Sequence, residues 1–235
     1  MQSKYYRIYK EIVSQIEQGI YQPNDLLPSE KSLIDNYQVS RDTIRKALAM
    51  LEQNGYIQKA KGKGSFVLNP KKLDFSVSGV VSFKEINQRM GRNFKTFVEE
   101  LSCQPATKKL QKDLSLKSDD LVWKVVRTRK IDGEKIILDK DFIVQKYVDG
   151  LTEAICEDSL YDYIENQLGL KISYANKEIT MQMATDEDRK YLDLKQYDMV
   201  AVVQSYTYLN DTRLFQYTES RHRPDKFIFV NFARR

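Results

Sequence analysis

The first 55 residues carry apolar side chains at the spacing of three successive amphipathic helices. The first predicted helix covers 5–18 and ends at Gly19, where a residue without a Cβ suits a helix end. The second begins at Ser29 and the third at Ser40, because serine oxygens cap the free N–H groups of a first turn. The apolar stripe of the third helix consists of Ile44, Ala47, Leu48 and Leu51. The tight turn between the second and third helices is typical of a helix-turn-helix.

A short hairpin is predicted directly after the third helix. Asn54-Gly55 is a turn signal, and apolar runs at 56–58 and 65–68 flank the basic, glycine-rich stretch 59–64. Glycines at such a tip let the backbone approach a partner closely. Three helices followed by a hairpin predict a winged helix over 1–69.

The hydrophobic pattern changes after Asn69-Pro70, and 70–78 is predicted to be a linker. Strand-like runs follow at 123–129, 135–142, 177–183, 199–209 and 213–221, with helical segments near 85–90, 158–168 and 186–192. Asp132-Gly133 separates two of the strands as a hairpin turn would. The fold class is therefore predicted to be α+β, with a mixed, mainly antiparallel sheet domain over 79–235.

The net charge of +5 lies entirely in the first part of the chain. Residues 1–72 hold 12 Lys and Arg against 7 Asp and Glu, whereas 73–235 are neutral as a group. Arg41 and Arg45 lie one turn apart beside the buried stripe of the third helix, as on a recognition helix that enters the DNA major groove. The alternative is a helical protein-interaction module with an ordinary charged surface.

Several other classes of protein are not expected. The apolar runs are too short for a membrane span, and no signal peptide precedes the first helix, so a cytoplasmic protein without membrane contact is predicted. Cys103 and Cys156 are expected to be reduced core residues. With His222 as the single histidine, no His/Cys metal site is expected, nor any cofactor. Catalytic patterns such as G-x-S-x-G, H-E-x-x-H and the P-loop are absent, which argues against an enzyme.

The segments LPSE, VSRDTIRKAL and NGYIQKAKGKGSFV resemble the GntR family of bacterial transcription regulators in order and spacing. This resemblance implies a repressor that binds palindromic, double-stranded operator DNA as a homodimer. It implies DNA contacts at Lys31, Ser40, Arg41, Thr43, Arg45, Lys61, Gly62, Lys63 and Gly64.

The second half resembles the UTRA effector domain of the HutC subfamily, whose fold is similar to that of chorismate lyase. Segments such as VSGVVSFKE, RTRKIDGEKIILDKD and FQYTESRHRPDKF carry this resemblance. It implies a sugar-phosphate effector, namely trehalose 6-phosphate, with an amino-sugar 6-phosphate as the alternative. The effector contacts it implies are Ser82, Phe83, Lys84, Arg127, Arg129, Asp139, Ser159, Tyr161, Gln216 and His222.

The chemistry of two of these segments suits a phosphate. Ser82 and Glu85 have the spacing of a capping box, so the N–H groups that follow Ser82 would lie at a helix N-terminus, which favours an anion. Arg127 and Arg129 alternate by two on a predicted strand and therefore face one side. The alternative interpretation is a plain helix cap and a solvent-facing arginine pair.

The remaining candidates suit a sugar. Asp139 can accept hydrogen bonds from two hydroxyls, and the ring of Tyr161 can lie against a pyranose face. Strand alternation puts Gln216 and His222 on one side of the last strand. Amino-sugar-phosphate relatives commonly carry Glu and Tyr at these two positions, so a neutral sugar fits better. A structural role is the alternative for His222.

Overall fold

The computed structural model describes residues 3–68, 80, 82–85 and 94–229. Contacts divide the described residues into two compact units, one within 3–68 and the other within 80–229. The linker predicted over 70–78 and most of the helix predicted at 85–90 lie outside the described residues.

The first unit has the predicted order of three helices and a hairpin. Its elements are α1 (Lys4–Glu17), α2 (Glu30–Tyr37), α3 (Arg41–Gln53), β1 (Ile57–Ala60) and β2 (Gly64–Val67). One buried cluster joins all three helices to the hairpin, and it includes Ile8, Ile12, Leu33, Ile44, Leu48, Leu51, Ile57 and Val67. The winged helix predicted from helical periodicity is confirmed.

The turn between α2 and α3 is defined by local hydrogen bonds and one unusual backbone angle. Ser29 Oγ accepts a hydrogen bond from Ser32 N at 3.1 Å, and Ser40 Oγ accepts one from Thr43 N at 3.3 Å. Gln38 ends α2 in the left-handed region with φ 50°. The N-caps and the left-handed residue together orient α3 against α2.

The second unit is built on a six-stranded antiparallel sheet. Its strands are β3 (Phe94–Pro105), β4 (Leu121–Ile131), β5 (Glu134–Val144), β6 (Ile172–Met183), β7 (Met199–Leu209) and β8 (Leu214–His222). Their order across the sheet is β3-β4-β5-β8-β7-β6, so β3 and β6 are the edges. Asp132 and Gly133 connect β4 to β5 with φ 51° and 92°, as the predicted hairpin turn requires.

Helices cover both faces of this sheet. One face packs on the segment 153–167 through a cluster that includes Val125, Ile143, Cys156, Ile164 and Phe215. The opposite face packs on Lys108–Asp113 and on Asp186–Tyr191. Among the described residues, no helix has both the length and the apolar character to cross a membrane.

Three predictions about this unit need correction. The strand β3 was not predicted, because its residues mix charged and apolar positions without regular alternation. The helix predicted at 158–168 is instead Glu153–Asp158, Leu160–Asp162 and a π-helical turn at Tyr163–Gln167, separated at Ser159 by extended backbone. Cys156 is buried as expected, but Cys103 lies exposed on the edge strand β3.

Candidate functional site

The predicted recognition helix presents its two arginines to solvent. Arg41 and Arg45 are exposed, whereas Ile44 and Leu48 on the other side of α3 are buried. Arg41 Nε lies 3.8 Å from a carboxylate oxygen of Glu30, a long and exposed ion pair that contributes little to stability. Both guanidinium groups are therefore accessible to a duplex.

The polar candidates at the start of α3 have structural roles as well. The hydroxyls of Ser40 and Thr43 lie 2.9 Å apart, and they complete the N-cap of the helix. Lys31 is exposed on the first turn of α2. These three residues and the two arginines belong to the same helix-turn-helix, so one surface can present all of them.

The wing carries the remaining candidates at its tip. Lys61 and Lys63 are exposed, and Gly62 and Gly64 have φ 75° and 105°, which L side chains rarely adopt. A Cβ on Gly64 would lie only 2.9 Å from the side chain of Leu26. Glycine at position 64 therefore lets the wing pack closely beside Leu26 while both lysines point to solvent.

A cavity of about 190 Å³ lies over one face of the sheet in the second unit. A single water needs only about 10–15 Å³ by this measure, so the cavity has room for a small molecule. All ten residues of the predicted effector set line it, namely Ser82, Phe83, Lys84, Arg127, Arg129, Asp139, Ser159, Tyr161, Gln216 and His222. Their proximity is a feature of the structure, and their binding role stays a prediction.

The floor of the cavity is ordered by strand register, because directly opposed residues in antiparallel strands face the same side. Three rows of directly opposed residues run across the sheet, and every residue in them lines the cavity. They are Arg129–Ile137–His222, Arg127–Asp139–Ser220–Val203 and Asp141–Thr218–Ser205–Lys177. The floor is thus cationic on β4, anionic on β5 and polar on β8, and it carries Lys177 on the edge strand β6.

Two buried ion pairs join β4 to β5 beneath the cavity. Arg127 Nη2 donates to Asp141 Oδ2 at 2.6 Å, and Arg129 Nε donates to Asp139 Oδ2 at 2.9 Å. Although burial opposes ionisation, Arg129 and Arg127 hold the pKa of Asp139 below its usual value. Burial and the nearby Arg127 lower the pKa of Arg129 to about 10, so its guanidinium remains charged at neutral pH.

The alternative of a solvent-facing arginine pair is therefore wrong, since Arg127 and Arg129 are only 6% and 4% exposed. The predicted phosphate site also differs in detail, because both guanidinium groups already have a carboxylate partner. Two hydrogen-bonding atoms remain unsatisfied at the cavity. Arg127 Nε and Gln216 Oε1 are buried without a hydrogen-bond partner in the part of the chain that the structure describes. Buried polar atoms of this kind usually have a partner, so they indicate room for a ligand.

The segment 82–85 borders the cavity beside Arg129. The predicted capping box is confirmed, since Ser82 N donates to Glu85 Oε2 at 2.8 Å and Glu85 N donates to Ser82 Oγ at 3.1 Å. The Phe83 ring centroid lies 4.5 Å from the guanidinium carbon of Arg129, and Lys84 Nζ donates to Asp158 Oδ2 at 2.7 Å. The segment is thus attached to two walls of the cavity.

The remaining predicted residues are uncharged. Ser159 Oγ accepts a hydrogen bond from Asp162 N at 3.2 Å, so Ser159 is also a helix cap. Burial raises the pKa of Tyr161 to about 12 and lowers that of His222 to about 4, so both are neutral at pH 7. His222 Nε2 lies 3.0 Å from Ser220 Oγ, and its ring packs on Phe227. These groups suit hydroxyls rather than an anion.

Several polar cavity residues were missed from the sequence. Alternation places Thr218 and Ser220 on the same side of β8 as Gln216 and His222, and Asp141 on the same side of β5 as Asp139, but it does not by itself name them as contacts. Asp158 precedes Ser159, and Ser205 and Lys177 reach the cavity only through strand register. Within the described residues, no cluster of three His, Cys, Asp or Glu side chains could hold a metal ion.

Both units match known protein families. Residues 4–67 match the model of bacterial regulatory proteins of the gntR family, and residues 89–228 match the UTRA domain. The HTH-type transcriptional regulator TreR of Bacillus subtilis is 56% identical over 99% of this chain and 98% of its own length. The HTH-type transcriptional repressor NagR of the same organism is 28% identical over 98% and 95%.

Solved structures share the fold. YydK of B. subtilis has a TM-score of 0.81 at 27% identity and covers 99% of this chain and 100% of its own. The effector-binding domain of the B. subtilis trehalose repressor TreR has a TM-score of 0.56 at 57% identity, and it covers 60% of this chain and 98% of its own. These relatives are transcriptional regulators and not enzymes. The expected resemblance is confirmed: this chain belongs to the GntR family of bacterial transcription regulators, carries a UTRA domain and is a regulator of the TreR type.

Proposed function

We propose that this protein is a transcriptional repressor that leaves its operator when trehalose 6-phosphate occupies the cavity of the sheet unit. The observation that supports this proposal is the end of the cavity at β4, which is lined by the buried side chains of Arg127 and Arg129. Arg127 Nε has no hydrogen-bond partner there among the described residues. The trehalose repressor TreR, 57% identical over its effector-binding domain, supports the choice of sugar.

The phosphate would lie at the β4 end of the cavity. Arg127 and Arg129 supply two fixed guanidinium groups, and charge-assisted hydrogen bonds from such groups are the strongest that a protein offers to an anion. Because Asp139 and Asp141 balance the two arginines, an incoming phosphate dianion adds negative charge that Lys84 offsets in part. Lys84 would then exchange Asp158, to which it now donates, for the phosphate.

The sugar hydroxyls would lie over β5 and β8. Asp141 Oδ1 accepts from Gln216 Nε2 and Thr218 Oγ1, each at 2.8 Å, which holds these side chains in place before a ligand arrives. Gln216 Oε1 is then left as an acceptor for a hydroxyl. A neutral His222 and a neutral Tyr161 add polar contacts without adding charge.

Operator binding would use a homodimer with one winged helix in each half-site. Two-fold symmetric dimers that read DNA in this way bind half-sites about 34 Å apart, or multiples of that distance, in a palindromic sequence. A coupling free energy of about 1–3 kcal/mol between effector and operator would change operator affinity about 5- to 150-fold. Linkage then requires operator DNA to weaken effector binding by the same factor.

Removing the phosphate from the ligand tests the proposed effector. We expect trehalose to bind about 100-fold more weakly than trehalose 6-phosphate, because it loses two or more hydrogen bonds to charged groups, each contributing about 1.5–3 kcal/mol. Isothermal titration calorimetry with both ligands and with glucosamine 6-phosphate measures this difference. Equal affinities for trehalose and its phosphate would contradict the proposal, and tighter binding of glucosamine 6-phosphate would favour the amino-sugar alternative.

The wing gives a separate prediction about DNA. Replacing both Lys61 and Lys63 by glutamine should weaken binding to operator and to unrelated duplex by similar factors, because lysines that contact phosphates carry no base information. The slope of log affinity against log salt should fall by about 2 per winged helix. Fluorescence anisotropy over a range of salt concentrations measures it. An unchanged slope would remove the wing from the DNA interface.

A further inference from the structure

We propose that Lys177 and Ser205 form a second subsite at the β6 end of the cavity, which binds the distal ring of a disaccharide phosphate. The protein would then distinguish two-ring from one-ring sugar phosphates by this subsite, while the phosphate is bound at the opposite end. This subsite rests on the proposed sugar-phosphate effector. It adds the residues that would contact the second ring and so favour a disaccharide phosphate over a monosaccharide phosphate.

The width of the cavity is the first argument. The cavity is lined from Arg129 on β4 to Lys177 on β6, across the strand order β4-β5-β8-β7-β6. Four strand spacings of about 4.8 Å separate these backbones by about 19 Å. A single pyranose ring with its phosphate at the β4 end would cover β5 and β8 and leave β7 and β6 uncovered.

The second argument is the row of polar groups that leads to Lys177. Four cavity-lining residues lie directly opposite one another on successive strands of the sheet. They are Asp141 on β5, Thr218 on β8, Ser205 on β7 and Lys177 on β6. Thr218 already donates to Asp141, so the near end of the row is fixed. The Thr218 hydroxyl is left as an acceptor, the Ser205 hydroxyl can donate or accept, and the Lys177 ammonium group donates, which suits the hydroxyls of two linked rings.

The charge at this end favours a neutral ring over a second phosphate. Among the described residues that line the cavity, Lys177 is the only cation on β6 or β7, and its neighbours in the lining are Val203 and Ser205. The β4 end, in contrast, has two buried guanidinium groups together with Lys84. The Lys177 side chain is exposed overall but lines the cavity, and burial lowers its pKa to about 8, so its ammonium group is still charged at neutral pH and can donate to ring hydroxyls.

The test is Lys177→Met, which keeps most of the length of the side chain and removes its charge. Affinities for trehalose 6-phosphate and glucose 6-phosphate are measured by calorimetry on the full chain. We expect a loss of about 10-fold or more for the disaccharide phosphate, as for one hydrogen bond to a charged group, and a change under about twofold for the monosaccharide phosphate. Ser205→Ala should reproduce the selectivity with a smaller loss.

Lys171→Met is the matched control, because Lys171 is exposed one residue before β6 and does not line the cavity. Equal weakening of both ligands by Lys177→Met, or no effect on either, would overturn the subsite while leaving the proposed effector intact. If the unmodified protein binds neither sugar phosphate, the proposed function fails, and the subsite fails with it. Melting temperatures of the variants confirm that each is folded.

Discussion

Replacing Arg45 by alanine is expected to abolish specific operator binding and to leave effector affinity unchanged. Arg45 is exposed on α3, so its removal takes nothing from the core. A bidentate contact from arginine to guanine contributes about 1–3 kcal/mol of discrimination, and a homodimer would lose two of them, or about 2–6 kcal/mol. Anisotropy with operator and scrambled duplexes measures the loss of specificity, and calorimetry measures effector binding.

Two variants on the same helix serve as controls. Arg45→Lys keeps the charge but cannot make the paired contact, so it should lose specificity while keeping most of the non-specific affinity. Lys46→Ala removes an exposed cation of α3 that is paired with Asp42 at 2.8 Å, and it should change specificity little. If Arg45→Ala still prefers operator over scrambled duplex, Arg45 does not read a base.

Replacing Arg129 by glutamine should give a repressor that binds operator and no longer responds to trehalose 6-phosphate. The change removes a phosphate donor and leaves Asp139 as an unbalanced anion beneath the phosphate position. Truncating one member of a buried, hydrogen-bonded charge pair between protein and ligand costs about 2–5 kcal/mol of binding free energy, so effector affinity should fall about 30-fold or more. Calorimetry and effector-dependent release of labelled operator measure the result.

The variant also tests folding, because an uncompensated buried carboxylate destabilises a domain by about 3–5 kcal/mol. The double variant Arg129→Gln/Asp139→Asn removes that charge, so it should recover stability without recovering effector binding. Arg129→Lys keeps the charge and should retain part of the affinity. Normal effector binding by a folded Arg129→Gln protein would show that the phosphate lies elsewhere.

The first unit could be predicted almost completely from local signals. The helix periodicity, the two serine caps, the glycine-rich wing tip and the charge excess all lie within residues 1–72, and each acts on its near neighbours. The alternation of Arg127 with Arg129, and of Gln216 with His222, likewise determined which side of a strand those side chains occupy. The family resemblance supplied the list of candidates that the cavity brings together.

Only the tertiary structure decided what those side chains meet. A period of two assigns a residue to a face but says nothing about the neighbouring strand, so the pairing of Arg127 with Asp141 and of Arg129 with Asp139 depends on sheet order and register. Lys177 is far from Arg127 and Arg129 in sequence, and it joins the same cavity because β6 pairs with β7 and β7 with β8. Local sequence therefore determined most of the elements and the faces of the predicted strands, with β3 as an exception, whereas long-range packing determined the charge and the extent of the cavity.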